Sequence, residues 1–118
     1  MACEDTHYDG LGPTVGAFLK EKVTNMINWI TKEVGKENLP PDVAEFIAAR
    51  TYVELTLFAE VLNANHSLIV HRDWAGIVRQ MKLESVPDVF ITALHTVRSH
   101  EHMHDKFWRY LEMFSRAV

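Results

Sequence analysis

Eight apolar residues, Val15, Phe18, Leu19, Val23, Met26, Ile27, Ile30 and Val34, recur at separations of three and four. A helix brings such positions onto one side, and a stripe held for about five turns demands a wide apolar surface to lie against. The rest of the chain supplies that surface as further helical stripes. Gly35 suits a helix end, and Asn38-Leu39-Pro40-Pro41 reads as a stop followed by a new start. Pro41 and Asp42 suit a first turn, with Val43, Phe46 and Ile47 inward. A break is expected near residues 50–52, where Arg50 and Glu54 interrupt the pattern, and Val53, Leu57, Phe58, Val61 and Leu62 then form the next face. Asn63, Asn65 and Ser67 loosen the chain before Leu68-Ile69-Val70. Behind Asp73, a good N-cap, Trp74, Ile77, Val78 and Met81 fall at i, i+3, i+4 and i+7. Ser85-x-x-Asp88 approximates a capping box ahead of Val89, Phe90, Ala93, Leu94 and Val97. Phe107, Trp108, Leu111 and Phe114 give the last helix, or a kinked extension of the one before. No segment alternates like a surface strand, so the predicted fold class is all-α.

The 118 residues suffice for one core of several short helices, and a hydrophobic content of 47% sets aside a disordered chain. No apolar run approaches the length of about 20 residues that spans a bilayer. With 12 basic and 16 acidic side chains the net charge is −4, which argues against a nucleic-acid binder. Residues 1–13, polar, Gly-rich and acidic, are expected to form a flexible arm, and residues 14–118 a single helical domain. The first residues lack the basic and apolar regions of a signal peptide. A lone Cys3 offers no internal disulfide, so a reducing, cytoplasmic location is expected.

Seven histidines raise the question of a metal. His100 and His104 lie one turn apart, a spacing that places two imidazoles on one ion, and His95 and His102 lie two turns apart on a different face. No His-Glu-x-x-His motif is present, Cys3 is remote, and Glu101 and Asp105 read as surface acids. His100 and His104 also continue the stripe of Val97, and are expected to line a partly buried bend. The expectation is no metal site and no cofactor. Neither a Gly-x-Ser-x-Gly turn nor a Gly-rich phosphate loop is present, and no enzyme is expected.

The run Asp73-Trp74-Ala75-Gly76-Ile77-Val78 resembles the first homology motif of the Bcl-2 family, Asn-Trp-Gly-Arg-hydrophobic-Val, which opens that family's central helix. It also resembles the second helix of a death domain, with its pattern Asp-Trp-x-x-hydrophobic. Position favours the first resemblance. A death domain has four helices still to come after this Trp, whereas only residues 75–118 follow here. Val61-Leu62-Asn63 is similar to the Bcl-2 groove wall, allowing a two-residue insertion. Trp108-x-x-Leu111-x-x-Phe114 is similar to the second homology motif, Trp-x-x-Phe-x-x-Leu. Ala75 stands where the family has Gly, and Gly76 where it has Arg. Arg79, Gln80 and Lys82 make the helix more polar than the family's, Pro87 ends it early, and no apolar tail anchor is seen. Pared-down viral members of the family are the most similar in this respect.

The resemblance implies a single-domain Bcl-2-like bundle around a central hydrophobic helix. It implies an inhibitor of apoptosis that sequesters the amphipathic helix of a pro-apoptotic protein in a surface groove, in the host cytosol if the chain is viral. Phe46, Val53, Leu57, Phe58, Val61 and Leu62 would form the walls, and Ala75, Gly76 and Val78 the floor, with Asp73 and Trp74 at its mouth. In the family the motif Arg pairs with an acid of the bound helix. With Gly76 in that place, Arg79, one turn on, is the expected substitute, and Arg72 the second choice. An empty groove exposes apolar surface, which predicts a homodimer through that region. The alternative readings are a death-fold-like adaptor that assembles by protein–protein contacts and a His-ligated metal-binding helical protein.

Overall fold

Helices account for the regular structure of the protein, with no strand among the described residues. The structure, a computed structural model, describes residues 12–35 and 43–118, and for residues 12–14, 43, 44 and 46 the backbone alone. The expected arm up to residue 11 and the side chain of Phe46 lie outside the described residues. In chain order the helices are α1 (Gly12–Val34), α2 (Val43–Ala48), α3 (Tyr52–Ala64), α4 (His66–Val70), α5 (Trp74–Leu83), α6 (Asp88–Arg98) and α7 (His104–Ser115). A 3-10 turn, Glu101–Met103, joins α6 to α7, so the last two stripes belong to separate helices. The all-α single-domain bundle expected from the stripes is what forms. No helix among the described residues is long and apolar enough to cross a membrane.

Of the stripe that opened the sequence, α1 buries Leu19, Val23, Met26, Ile27, Ile30 and Val34, while Val15 is partly buried and Phe18 is exposed. It ends at Gly35, whose φ of 85° is the left-handed conformation a glycine adopts without steric cost. Near the helix start, a Cβ on Gly16 would stand 2.4 Å from Cγ of Tyr52, so the missing side chain is what lets the Tyr52 ring lie on α1.

α3 is the hydrophobic centre, packing against α1, α4, α5 and α7. Its buried face is Leu55, Phe58, Ala59, Val61 and Leu62. The Phe58 ring stacks on Phe90 of α6, centroids 4.1 Å apart, and tilts against Phe114 of α7 at 5.7 Å. Asn63 Nδ2 donates to the Ser115 carbonyl at 3.0 Å, fastening the other end of α3 to α7. The central helix is thus α3, and not the helix of the Trp74 motif. α5 buries only Gly76, Ile77 and Met81, because Arg79, Gln80 and Lys82 leave it no second apolar face.

Capping differs from the sequence reading in two places. The break expected near residues 50–52 falls between α2 and α3, and Glu54, read from the sequence only as an interruption, closes a capping box there. The Glu54 N–H donates to Thr51 Oγ1 at 3.1 Å and the Thr51 N–H donates to Glu54 Oε1 at 3.0 Å. That backbone N–H is the main reason the Glu54 carboxyl is held below its ordinary value, with Arg50 helping through its charge. Conversely, Ser85 makes no capping box, since the N-cap of α6 is Pro87 and no side chain bonds there. Ser85 instead closes α5 at φ 60°. Its N–H donates to the Lys82 carbonyl at 3.2 Å and the Val86 N–H to the Met81 carbonyl at 2.9 Å, the paired bonds of a Schellman motif. Arg72, φ 53°, does the same for α4: its N–H donates to Ile69 O at 3.0 Å, and the Asp73 N–H donates to Leu68 O at 2.9 Å.

These features set two opposite expectations for stability. Ser85→Gly removes a left-handed strain on the order of 1 kcal/mol, reduced by the greater freedom of glycine in the unfolded chain, and should raise the urea midpoint slightly. Phe58→Ala empties the joint between three helices and should cost about 3–5 kcal/mol in the same measurement.

Candidate functional site

The Asp73 carboxylate accepts the Gly76 N–H at 2.9 Å, so α5 begins where the sequence places its cap. A Cβ on Gly76 would stand 2.7 Å from Asp73 Oδ2 and 3.1 Å from Leu68 Cδ2. The close approach that this glycine permits is therefore used within the molecule, by the cap and by α4. Trp74 is half-buried, its ring near His104 (4.9 Å), Trp108 (4.7 Å) and Phe107 (5.8 Å), all on α7. It anchors the mouth of α5 to the last helix.

The residues expected as groove walls are distributed differently. Phe58, Val61 and Leu62 are in the core, because α1, α6 and α7 close over the face they share. Val53 is 79% exposed on the far side of α3, since helical pitch puts it about 200° round from Leu55. Leu57 is partly buried at the edge of the core. α3 and α5 do pack together, but none of these wall residues is among those lining the depression that Ala75 and Val78 share.

Ala75, Val78 and Arg79 do come together. With Lys82 they fall at i, i+3, i+4 and i+7, one outward face of α5. They line an open depression of about 490 Å³ along the seam with α6, completed by Leu83, His95 and Arg98. Leu83 is 68% exposed there. Among the described residues the walls carry three permanent cations and a histidine and no acid, in a protein whose net charge is −4. Among the described residues Arg79, Lys82 and Arg98 form no ion pair. A second depression, about 350 Å³, lies along α7 by Lys106, Arg109, Tyr110 and Met113. Its cations are engaged: Arg109 lies 3.0 Å from Asp105, and Lys106 Nζ lies 4.7 Å over the Trp29 ring.

His95 and Arg98 were not among the residues the sequence singled out as a site. Their spacing, one turn apart at the end of an amphipathic helix, was readable, but their position opposite α5 is a tertiary fact. The His100 to His104 run forms the bend between α6 and α7. His100 Nδ1 is 2.8 Å from Thr96 O, and His104 Nε2 is 3.0 Å from Arg98 O, so both rings are bonded to backbone. No group of three or more His, Cys, Asp or Glu side chains able to hold a metal occurs among the described residues. Compared with family models, with curated proteins and with solved structures, the chain matches none.

Arg72, the second candidate for pairing with a bound acid, already has a partner. Its Nη2 donates to Asp105 Oδ1 on α7 at 2.8 Å, and this bond, then the charge of Arg109, holds the Asp105 carboxyl below its ordinary value of 3.8. A depressed carboxyl contributes stability above its unfolded value and loses it as pH falls through the folded one. Arg72→Ala should therefore raise the Asp105 titration toward 3.8 in a carboxyl-detected NMR experiment. The variant should lower stability slightly at neutral pH and not at all once the carboxyl is protonated. An unmoved titration would assign the effect to Arg109 alone.

Proposed function

We propose that this protein binds an amphipathic helix in the α5–α6 depression, as a Bcl-2-like inhibitor of apoptosis does with the helix of a pro-apoptotic partner. One observation carries the reading: Ala75, Val78 and Arg79 of the Trp74 motif helix line the same open depression, with cations that form no ion pair among the described residues beside apolar side chains. Ala75, Val78 and Leu83 offer the floor to an apolar stripe, and Arg79 stands ready for an acid of the bound helix. Two supports come from the sequence, namely the likeness of residues 73–78 to the first Bcl-2 motif and of residues 108–114 to the second. Because Phe58, Val61 and Leu62 are core, the surface proposed runs along α5 and α6 and not between α3 and α5.

A second copy of the chain is the weaker occupant. A two-fold dimer through this surface would set the cationic patch of Arg79, Lys82 and Arg98 against the same patch of the second copy, a like-charge arrangement that opposes association. A foreign acidic helix meets the same cations favourably. A cytosolic place of action goes with the proposal.

The test is fluorescence anisotropy with labelled helix peptides from a panel of pro-apoptotic proteins. Val78→Glu should weaken binding tenfold or more while the helical circular dichroism stays unchanged, because Val78 is only partly buried. Val53→Glu, on an exposed position away from the depression, should change neither. If no peptide of the panel binds at about 100 μM, a very weak interaction by any standard, the reading is wrong.

A further inference from the structure

We infer that the bound helix carries acidic side chains along both edges of its apolar stripe, one edge facing α5 and the other α6. The inference rests on the helix-binding reading above and specifies its partner. Its basis is the disposition of charge across the seam. Arg79 and Lys82 stand one turn apart on α5, and His95 and Arg98 stand one turn apart on α6, with the apolar Ala75, Val78 and Leu83 lining the same opening. Elsewhere the arginines have carboxylate partners within the molecule: Arg50 pairs with Glu54, Arg72 and Arg109 share Asp105, and Arg116 pairs with Glu112. Among the described residues Arg79, Lys82 and Arg98 have no such partner and no acid lines the depression.

A site of this kind sets like charges along an apolar surface, and a ligand of opposite charge relieves their repulsion beyond what water and salt do. A helix with a single acid would neutralise one wall and leave the other. A helix lying along the seam presents the two flanks of its stripe to the two walls, because positions flanking an apolar stripe fall on opposite sides of it. Complementarity then asks for an acidic residue on each flank, repeated about every turn. The apolar floor speaks for an amphipathic helix over a plain polyanion. The wall continues past His95 into a smaller depression lined by Thr96, Ser99 and His100. There Thr96 Oγ1 donates to Thr92 O at 2.9 Å and Ser99 Oγ to His95 O at 3.3 Å, so those hydroxyls are committed to backbone. The charge of the α6 wall is thus carried by Arg98, with His95 beside it.

The experiment uses the full chain and synthetic, fluorescently labelled helices that share one leucine stripe. One has Glu on both edges, one has Glu on one edge and Gln on the other, and one has Gln on both. The doubly acidic helix should bind about tenfold more tightly than the singly acidic one at low salt, with the difference shrinking as salt screens the walls. Arg79→Gln and Arg98→Gln should each bring the doubly acidic helix down to the level of the singly acidic one, while leaving the neutral helix nearly unaffected. Equal binding of all three helices would overturn the inference and leave helix binding itself standing. Loss with only one of the two arginine variants would also overturn it, by reducing the site to one charged wall. A doubly acidic peptide with Ser in place of every Leu should not bind; if it binds as well, the surface takes polyanions and the inference falls. Failure of every helix to bind would remove the helix-binding reading as well.

Discussion

The ring of Phe58, stacked on Phe90 and tilted against Phe114, joins three helices at one point. Everything else about the arrangement follows from which side of α3 that ring occupies. Once Phe58 points toward α6 and α7, Leu55, Ala59 and Leu62 share its burial and Val53 is turned outward. α5 then buries only one narrow face, Gly76, Ile77 and Met81, and its outward face runs along the seam with α6. The open depression is a by-product of that geometry. α5 is too polar to be engulfed, so a core that closes around α3 leaves it at the border.

Its position there is firmly held. Two Schellman motifs bracket α5, the first ending α4 at Arg72 and the second ending α5 itself at Ser85, both with a side chain other than glycine in the left-handed region. Asp73 belongs to both the first motif and the cap, through its N–H and its carboxylate respectively. Trp74 rests against Phe107, Trp108 and His104, and the Arg72 side chain reaches Asp105. A surface helix fixed at its start, its end and through its first residue makes a rigid edge, which suits recognition better than a mobile loop would.

Much of the fold was legible in the sequence, and the failures have common causes. The stripes of α1, α6 and α7 each fit one helical face, and those faces are the buried ones. The α3 stripe was ambiguous, because Val53, Leu57, Phe58, Val61 and Leu62 cover more than one face, and only the neighbours decide which is inward. The break expected near residues 50–52 does separate α2 from α3, and the box of Thr51 and Glu54 that opens α3 there is the signal that fixes its register. Ser85-x-x-Asp88 misleads instead: a pattern that often opens a helix here spans the close of one and the start of the next. α4, only five residues long, has too little periodicity to be seen. Of the candidate site, the α5 half was readable from one amphipathic helix, whereas the α6 half depended on two helices meeting.

The dependence of α3 on α7 has a consequence for how the chain is made. Asn63 and Ser115, bonded across that interface, are 52 residues apart in sequence. A ribosome releases the apolar face of α3 well before Phe107, Trp108, Leu111 and Phe114 emerge to cover it. During that interval the nascent chain holds α1 and α3 with one side bare, and contacts so distant in sequence are slow to form. Codon choice or chaperone capture across the α4 to α6 segment would thus bear on yield more heavily than the stability of the finished bundle does.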